Sequence, residues 1–415
     1  MKMHSKSILF ISWQGAMGHV TRDLAIVKEL RRIMPQVDLA WMAHPLAAKV
    51  IREADEKLLP ESEQVADYNL AGLQAVSEFG LDLVKYLETS KEPRQKNVEL
   101  LKRVLEKYPF DLIIGDEVYE TLLAVSDGEI HLTCPLIMIE DFIGVRAMNR
   151  RLLVQLGVYV HNRKVVNAIR KTSGVITHLF VGELADVPDR RYGFLLPNCR
   201  EFARKYYRFL GYIVRFDPAE YGDKARIRKK LGYGDEPLVI CATGGTAAGW
   251  ELIELCGKAY PLLKKEIPDL RMVCVCGERF GLPPPKVPAE VEFHGYIPRI
   301  YEHYAACDLA VIVGGGTTSL ELTALRKPFL FFPLENQFDQ QLYVAERIAR
   351  HGAGVRMEYR RTTPEALARA IKDNLGRKVE TNAIPFDGAR KAAEVIVGEL
   401  SQGQKKQNKR VIIGH

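Results

Sequence analysis

Two doubly wound α/β domains are what this 415-residue sequence predicts, on three observations. The length exceeds what one hydrophobic core usually serves, which makes two domains of about 200 residues each the natural expectation. Short β-rich runs alternate with helical stretches of about a dozen residues, the pattern of βαβ units on a parallel sheet. A polar stretch interrupts this alternation near the middle of the chain, and the same alternation then begins again.

The first series opens with the apolar run Ile8 to Ser12, followed by a helix from about His19 to Ile33 and a strand from Val37 to Met42. Helical patterning resumes at Leu46 and again from Asn97 to Tyr108, and Asp111–Gly115, Pro135–Ile139 and Gly174–Thr177 read as further strands. Asp217 to Pro237 turns polar, with Gly222, Gly232, Gly234 and Pro237 as breakers, and is expected to connect the domains. The second series runs Leu238–Thr243, a helix to about Glu266, Arg271–Cys276, Val291–His294, Ala310–Val313, Phe329–Phe332 and Gly354–Met357, with helices over Pro364–Asn374 and Ala383–Leu400. The expected division is a first domain over 1–217, a connection over 218–237, a second domain over 238–385, a closing helix over 386–402 and a frayed basic tail over 403–415.

Composition narrows the function classes. Apolar residues make up 47% and charged residues 27%, ordinary for a globular protein. Seven cysteines without a CxxC pair, several inside apolar runs, point to a reducing cytoplasm without disulfides or structural zinc. No apolar run approaches the 18 or so residues of a membrane-spanning helix, and the short run at Ile8 is too brief for a signal peptide. The net charge of +7 is modest; it suits an anionic surface, a phosphorylated substrate or solubility alone.

The chemistry concentrates in Val311–Glu321, Pro328–Pro333 and Glu335–Gln341. The first reads as a buried strand, a Gly-Gly-Gly turn and a helix start carrying a carboxylate. Glycines let a backbone approach a diphosphate, the helix amino terminus supplies N–H donors, and a carboxylate can bridge a ribose diol. Thr243-Gly-Gly-Thr246, after another strand, is a second candidate anion cradle. In the first half, His19 starts a helix at the first strand-to-helix turn, beside Gly15 and Gly18, where open sheets bind ligands and where the helix amino terminus favours a neutral imidazole. Asp116 and Glu117 follow a strand onto the same rim, and so do Glu140 and Asp141.

These stretches resemble the donor and acceptor sites of nucleotide-sugar glycosyltransferases with the GT-B fold, especially MurG and the UDP-glycosyltransferases. The resemblance covers Thr243–Thr246, His294–Pro298 and Gly314–Gln341 in order. It implies two Rossmann-like domains facing across a cleft, with the last helix crossing back to the first domain. It further implies that the main chain at Ile297 meets the base and that Gly244, Gly245, Thr246, Gly315, Gly316, Thr317 and Thr318 serve the diphosphate. Glu321 would then hold the ribose, while Asn336, Gln337, Gln340 and Gln341 read the sugar through amides that both donate and accept. His19 takes the place of the family's histidine base and Asp116 that of its orienting aspartate; Glu140-Asp141 aligns only loosely with MurG. The activity implied is inverting transfer from a UDP-sugar to a hydroxyl acceptor, expected to be lipid-linked or otherwise membrane-associated, with the UDP-sugar as substrate and neither cofactor nor metal. A GT-B epimerase and a non-catalytic nucleotide-sugar-binding subunit are the alternatives. A dinucleotide dehydrogenase does not fit, since the first turn lacks Gly-x-Gly-x-x-Gly.

Two stretches bear on partners. Phe142–Lys164 sets Ile143, Val145, Met148, Leu152, Leu153 and Leu156 among Arg146, Arg150, Arg151, Arg163 and Lys164, a composition suited to the anionic inner face of a membrane and equally to an ordinary surface helix. Arg200–Arg215, with Phe202, Tyr206, Tyr207 and Phe209, mixes basic and aromatic residues as single-stranded nucleic-acid binders do, but without an RNA-binding motif nucleic acid is not the expected partner.

Overall fold

The computed structural model describes residues 6–12, 17–66, 75–77, 80–81, 83–148, 151–244, 249–277, 283–334, 339–382 and 384–412. The chain divides into two compact units, the first holding residues 1–68, 87–215 and 385–415, the second residues 69–86 and 216–384.

The first unit is a parallel sheet with helices on both faces. Its strands are β1 (Ser7–Ser12), β2 (Asp38–Ala43), β3 (Lys57–Leu58), β6 (Leu112–Asp116), β7 (Leu136–Glu140), β8 (Ile176–Val181) and β9 (Tyr207–Gly211). They lie in the order β3-β2-β1-β6-β7-β8-β9, and every pairing is parallel. Central strands such as β6 and β7 are buried at every position, so they read as continuous apolar runs. The order reverses between β1 and β6, which makes their carboxyl ends the point at which an open sheet leaves a crevice for ligands.

Helix α1 (Met17–Ile33) follows β1 and buries Val20, Asp23, Ile26, Val27 and Leu30, an i, i+3, i+4, i+7 stripe. Arg31 and Arg32 in its last turn suit the negative end of the helix dipole. The chain leaves this unit after α2 (Pro45–Glu53) for residues 69–86 of the second, comes back along α3 (Leu83–Thr89), adds α4 (Lys91–Lys107), α5 (Tyr119–Asp127), α6 (Leu152–Thr172) and α7 (Cys199–Tyr206), and from residue 216 to 384 belongs to the second unit. The short antiparallel strands β4 (Val76–Ser77) and β5 (Gly80–Leu81) are paired with each other.

The second unit repeats the plan with β10 (Leu238–Ala242), β11 (Arg271–Val275), β12 (Glu292–His294), β13 (Leu309–Val313), β14 (Phe329–Phe332) and β15 (Val355–Arg356), ordered β12-β11-β10-β13-β14-β15 and parallel throughout. Its helices are α8 (Lys224–Leu231), α9 (Glu251–Glu266), α10 (Ile300–Ala306), α11 (Gly316–Ala324), α12 (Gln340–Arg350) and α13 (Pro364–Asn374). Here the reversal falls between β10 and β13.

Two expectations need correction. The segment 218–237 is not an open connection: α8 lies in it, and Ile227 and Tyr233 enter a core of the second unit. Its breakers are real but local, since Gly232 is the left-handed cap (φ 74°) that ends α8. The stretch 403–412 is helical, because the last helix, α14 (Gly388–Ile412), includes it, in keeping with the helix propensity of Lys405, Lys406 and Gln407. The aromatic residues of 200–215 are packing groups: Phe202 and Tyr207 are buried, Tyr206 and Phe209 pack against the same core, and none of these four is left as an open stacking platform.

Helix α14 returns to the first unit. Ala389, Ala392, Ala393, Ile396 and Leu400 join Ile26, Val27 and Leu30 of α1 in one buried cluster, small residues letting the two helices approach. At its start a side chain on Gly388 would meet the carbonyl oxygen of Tyr212 at 2.8 Å, so the helix entry needs glycine.

Candidate active site

In the first unit the switch point brings together residues distant in sequence. His19 sits in the first turn of α1, directly after β1, and Asp116 ends β6. Pairing of β1 with β6 puts His19 Nδ1 2.9 Å from Asp116 Oδ1 and 2.8 Å from Arg22 Nη2, so that it donates to the carboxylate in one tautomer and accepts from the guanidinium in the other. Asp116 is fully buried, as expected of an orienting carboxylate held by strong donors.

Arg22, one turn beyond His19, is the residue that sequence reasoning missed. Its Nε donates to Asp116 Oδ2 at 2.8 Å, its Nη2 to Asp116 Oδ1 at 2.6 Å, and its Nη1 to Asp141 Oδ2 at 2.8 Å. The i, i+3 spacing from His19 was the available signal, because it places both side chains on one helix face. Asp23, also buried, accepts from Ser12 Oγ at 2.8 Å.

Glu117 and Asp141 join the cluster. Glu117 Oε2 lies 3.8 Å from His19 Nε2, and its backbone N–H donates to the Ile139 carbonyl at 2.9 Å. Its φ of 51° is in the left-handed region, at a cost of about 1 kcal/mol for a non-glycine residue. Gly18 is in the same turn as His19, its carbonyl accepting from Thr21 Oγ1 at 3.1 Å. Gly15 lies outside the described residues.

Glu140 does not belong here. Its carboxylate is buried, 2.9 Å from His178 Nδ1 and within 3.3 Å of the Tyr207 hydroxyl that donates to it. Strand alternation explains the correction: Glu140 shares its face with Leu136 and Met138, whereas Asp116 shares the opposite one with Leu112 and Ile114, on the side that α1 covers. Asp141, one residue further, comes back to that side.

Charge in the cluster is unevenly held. Burial alone would push the Asp116 carboxyl up, but Arg22 and then His19 overcome it and hold it well below the usual carboxylate range. Asp141 is likewise brought down against burial, by Arg22 first, to about 2. Burial, reinforced by Asp141, pushes Glu117 well up, toward its protonated form, and burial reinforced by Asp116 does the same to Asp23. Burial works against the Arg22 charge too, yet Asp116 and Asp141 hold it above its ordinary value. Donor atoms of His19, Glu117 and Asp141 lie within 4.8 Å of one another, a spacing a metal ion could use, but any cation would compete with the guanidinium already on Asp141.

The second unit carries its candidate site at its own switch point. Gly315 caps α11 and Gly316, Thr317 and Thr318 form its first turn, where N–H groups have no partner within the helix itself. Arg347, another residue not singled out from sequence, reaches from α12 to donate to the Gly316 carbonyl at 3.2 Å. Gly314 has no room for a side chain: a Cβ would lie 3.2 Å from Pro333 Cα and 3.3 Å from Gln341 Oε1. Gln340 and Gln341 open α12, and the Gln341 oxygen is buried beside that glycine turn with no hydrogen-bond partner among the described residues. Glu321 lies inside α11 and is only 2% exposed, so it is not a solvent-facing helix carboxylate. Across the switch point, β10 is followed by Thr243, whose hydroxyl is buried without a partner among the described residues, and by Gly244, whose φ of 82° calls for glycine. Ile297 follows β12 and packs partly buried against the neighbouring core. Gly245, Thr246, Asn336 and Gln337 lie outside the described residues.

Two Rossmann-like units, each with polar and glycine-rich turns at the reversal of its strand order, define the GT-B class of α/β protein. Residues 239–397 match the glycosyltransferase family 28 C-terminal domain. The chain is 30% identical over 425 residues to an uncharacterized glycosyltransferase of Methanosarcina acetivorans, covering 96% of this chain and 98% of that one. Over 187 residues, 42% of this chain and 50% of the relative, it is 29% identical to the UDP-N-acetylglucosamine–N-acetylmuramyl-(pentapeptide) pyrophosphoryl-undecaprenol N-acetylglucosamine transferase of Geobacter sulfurreducens. Among solved structures, the kitacinnamycin glycotransferase is similar with a TM-score of 0.58 and 16% identity over 97% of this chain and 98% of that chain, a likeness of fold. The chain belongs to the glycosyltransferases, with a C-terminal domain of family 28, and is an enzyme.

Proposed function

We propose that this enzyme transfers a sugar from a UDP-sugar, UDP-N-acetylglucosamine or a UDP-hexose, to a hydroxyl acceptor with inversion and without a bound metal. The observation that carries the reading is the placement of His19 and Asp116 at the switch point of one sheet while the glycine turn and α11 occupy that of the other. His19 Nε2 takes the acceptor's proton as its oxygen bonds the anomeric carbon. The bond from that carbon to the diphosphate breaks, and UDP leaves with the electron pair. The N–H groups of Gly316, Thr317 and Thr318 and the dipole of α11 then receive the diphosphate charge, with Gly244, Gly245 and Thr246 as a second cradle. Glu321 holds the ribose, the main chain at Ile297 the base, and Asn336, Gln337, Gln340 and Gln341 the sugar. Arg22 on Asp141 supports the metal-free reading, because a guanidinium already supplies the positive charge a cation would bring.

A membrane-associated acceptor, such as a lipid-linked one, is supported by the surface around α6. Leu152 and Leu153 at its start are 85% and 83% exposed, and Phe194 and Leu195 are 79% and 80% exposed. Residues 142–182 contain no acid and seven Arg or Lys, a pairing that suits an anionic bilayer and supports a peripheral position at a cytoplasmic membrane face.

The test is UDP release from a panel of UDP-sugars with lipid and soluble acceptors, with the anomeric configuration of the product read by NMR. His19→Ala is expected to lower transfer by roughly a hundred- to ten-thousandfold while sparing UDP binding. An epimerised donor without UDP release would replace this reading with the epimerase, and a His19→Ala enzyme with normal turnover would remove the base.

A further inference from the structure

Arg347 lies in the last turn of α12, where a cation suits the negative end of the helix dipole and can stay in solvent. It does not stay there. The side chain is only 8% exposed, on the buried face of α12 with Val344 and Ile348, and its Nη2 crosses to the first turn of α11 to donate to the Gly316 carbonyl oxygen at 3.2 Å. Ser319 Oγ, on a residue that is itself buried, donates to the same oxygen at 3.0 Å.

That oxygen belongs to the peptide unit whose N–H is that of Thr317. A trans peptide is planar with its C=O and N–H on opposite sides, so two donors that hold the oxygen also fix the direction of the N–H. The Thr317 N–H is among the first of α11, has no partner within the helix and points out of its amino end. Each bond donated to the carbonyl polarises the peptide and strengthens that N–H as a donor, by about 10–30%. The guanidinium adds a whole charge behind it. An anion that accepts from Thr317 would lie within about 8 Å of the guanidinium, the span of one peptide unit and two hydrogen bonds. Unit charges at that distance, with an effective dielectric of about 20, shift an equilibrium by roughly 10- to 30-fold.

We infer that Arg347 is a positioning residue for the donor's diphosphate: with Ser319 it holds the Gly316–Thr317 peptide so that the Thr317 N–H faces the diphosphate, and it sets a fixed positive charge behind that N–H. The inference rests on the reading of α11 as the diphosphate site, and it adds a residue from a different helix to that site. As the bond to the anomeric carbon breaks, UDP leaves with the electron pair and gains negative charge, which a charge already in place stabilises without reorganisation.

The experiment measures binding of uridine and of UDP to the full chain by calorimetry. Arg347→Gln is expected to weaken UDP by roughly 10- to 30-fold and uridine by less than about threefold, because only the diphosphate carries charge. Arg347→Met, which fills similar space without charge or donor, carries the same expectation and serves if the glutamine variant does not fold. Arg347→Lys, which keeps the charge without the planar fork, should regain at least about threefold of the lost UDP affinity. Equal losses of uridine and UDP would mark Arg347 as merely structural and overturn the inference, and so would a lysine variant no better than the glutamine one. A preference for UDP over uridine that survives undiminished in Arg347→Gln overturns the inference alone. An unaltered protein that binds the two equally overturns the diphosphate reading of α11 together with it.

Discussion

Replacing Asp116 by asparagine keeps the shape of the side chain and removes the charge on which two cations converge. Asp116 accepts from Arg22 at 2.6 and 2.8 Å and from His19 at 2.9 Å, and it is fully buried. Breaking a buried ion pair by deleting one partner costs about 3–5 kcal/mol, because the other charge is left in a poor solvent. Arg22 retains Asp141 at 2.8 Å, and that carboxylate is 25% exposed, so the lower end of the range applies. A loss of about 3 kcal/mol is roughly 150-fold in the folding equilibrium and, for a cooperative unit of about 150–250 residues, some 6–12 °C in Tm. Calorimetry of the full chain should show this fall in the transition of the first unit, with the second unit unmoved. The double variant Arg22→Gln/Asp116→Asn, which leaves no unmatched charge on this pair, should recover at least half of the loss. An Asp116→Asn protein melting within about 2 °C of the unaltered one, or a double variant in which the two losses simply add, would refute the account of Arg22 as a buried charge held by Asp116.

Three further outcomes are expected. Glu321→Ala should weaken UDP binding by roughly 10- to 150-fold in calorimetry, the value of about 1.5–3 kcal/mol for hydrogen bonds to a charged group, with circular dichroism unchanged; an unaltered affinity removes Glu321 from the ribose. Gln341→Ala should spare UDP binding and weaken sugar transfer, whereas poor UDP binding with normal choice of sugar would mean that its amide serves the Gly314 turn instead. Glu117→Gln should stabilise the protein more at pH 8 than at pH 4. The folded pKa of Glu117 is raised, by burial first and then by Asp141, so the stability this carboxyl contributes is full below its unfolded pKa and is lost as pH rises through the folded one. A Tm difference that is the same at both pH values would show that Glu117 ionises freely in the folded enzyme.

What the sequence determined by itself is local. The apolar runs of β10, β13 and β14 and the Gly-Gly-Gly turn into α11 are legible because strand burial and turn geometry depend on neighbours a few residues apart. The positions of His19 and Asp116 at strand ends were legible for the same reason. The sorting of Glu140 from Asp141 was available as well, since the alternation along β7 assigns Glu140 to the face of Leu136 and Met138. The helix α8 misled because composition records what side chains are, not which surface they meet; Ile227 found a core formed by elements distant in sequence. Only the tertiary structure decided the ion network. Arg22 is 94 residues from Asp116 and 119 from Asp141, and nothing in the spacing of three charged residues chooses those two carboxylates over the others. The choice is made by the strand order, which sets β6 beside β1 and β7 beside β6 and so brings their carboxyl ends around the first turn of α1, where burial then makes each charge depend on the one opposite it.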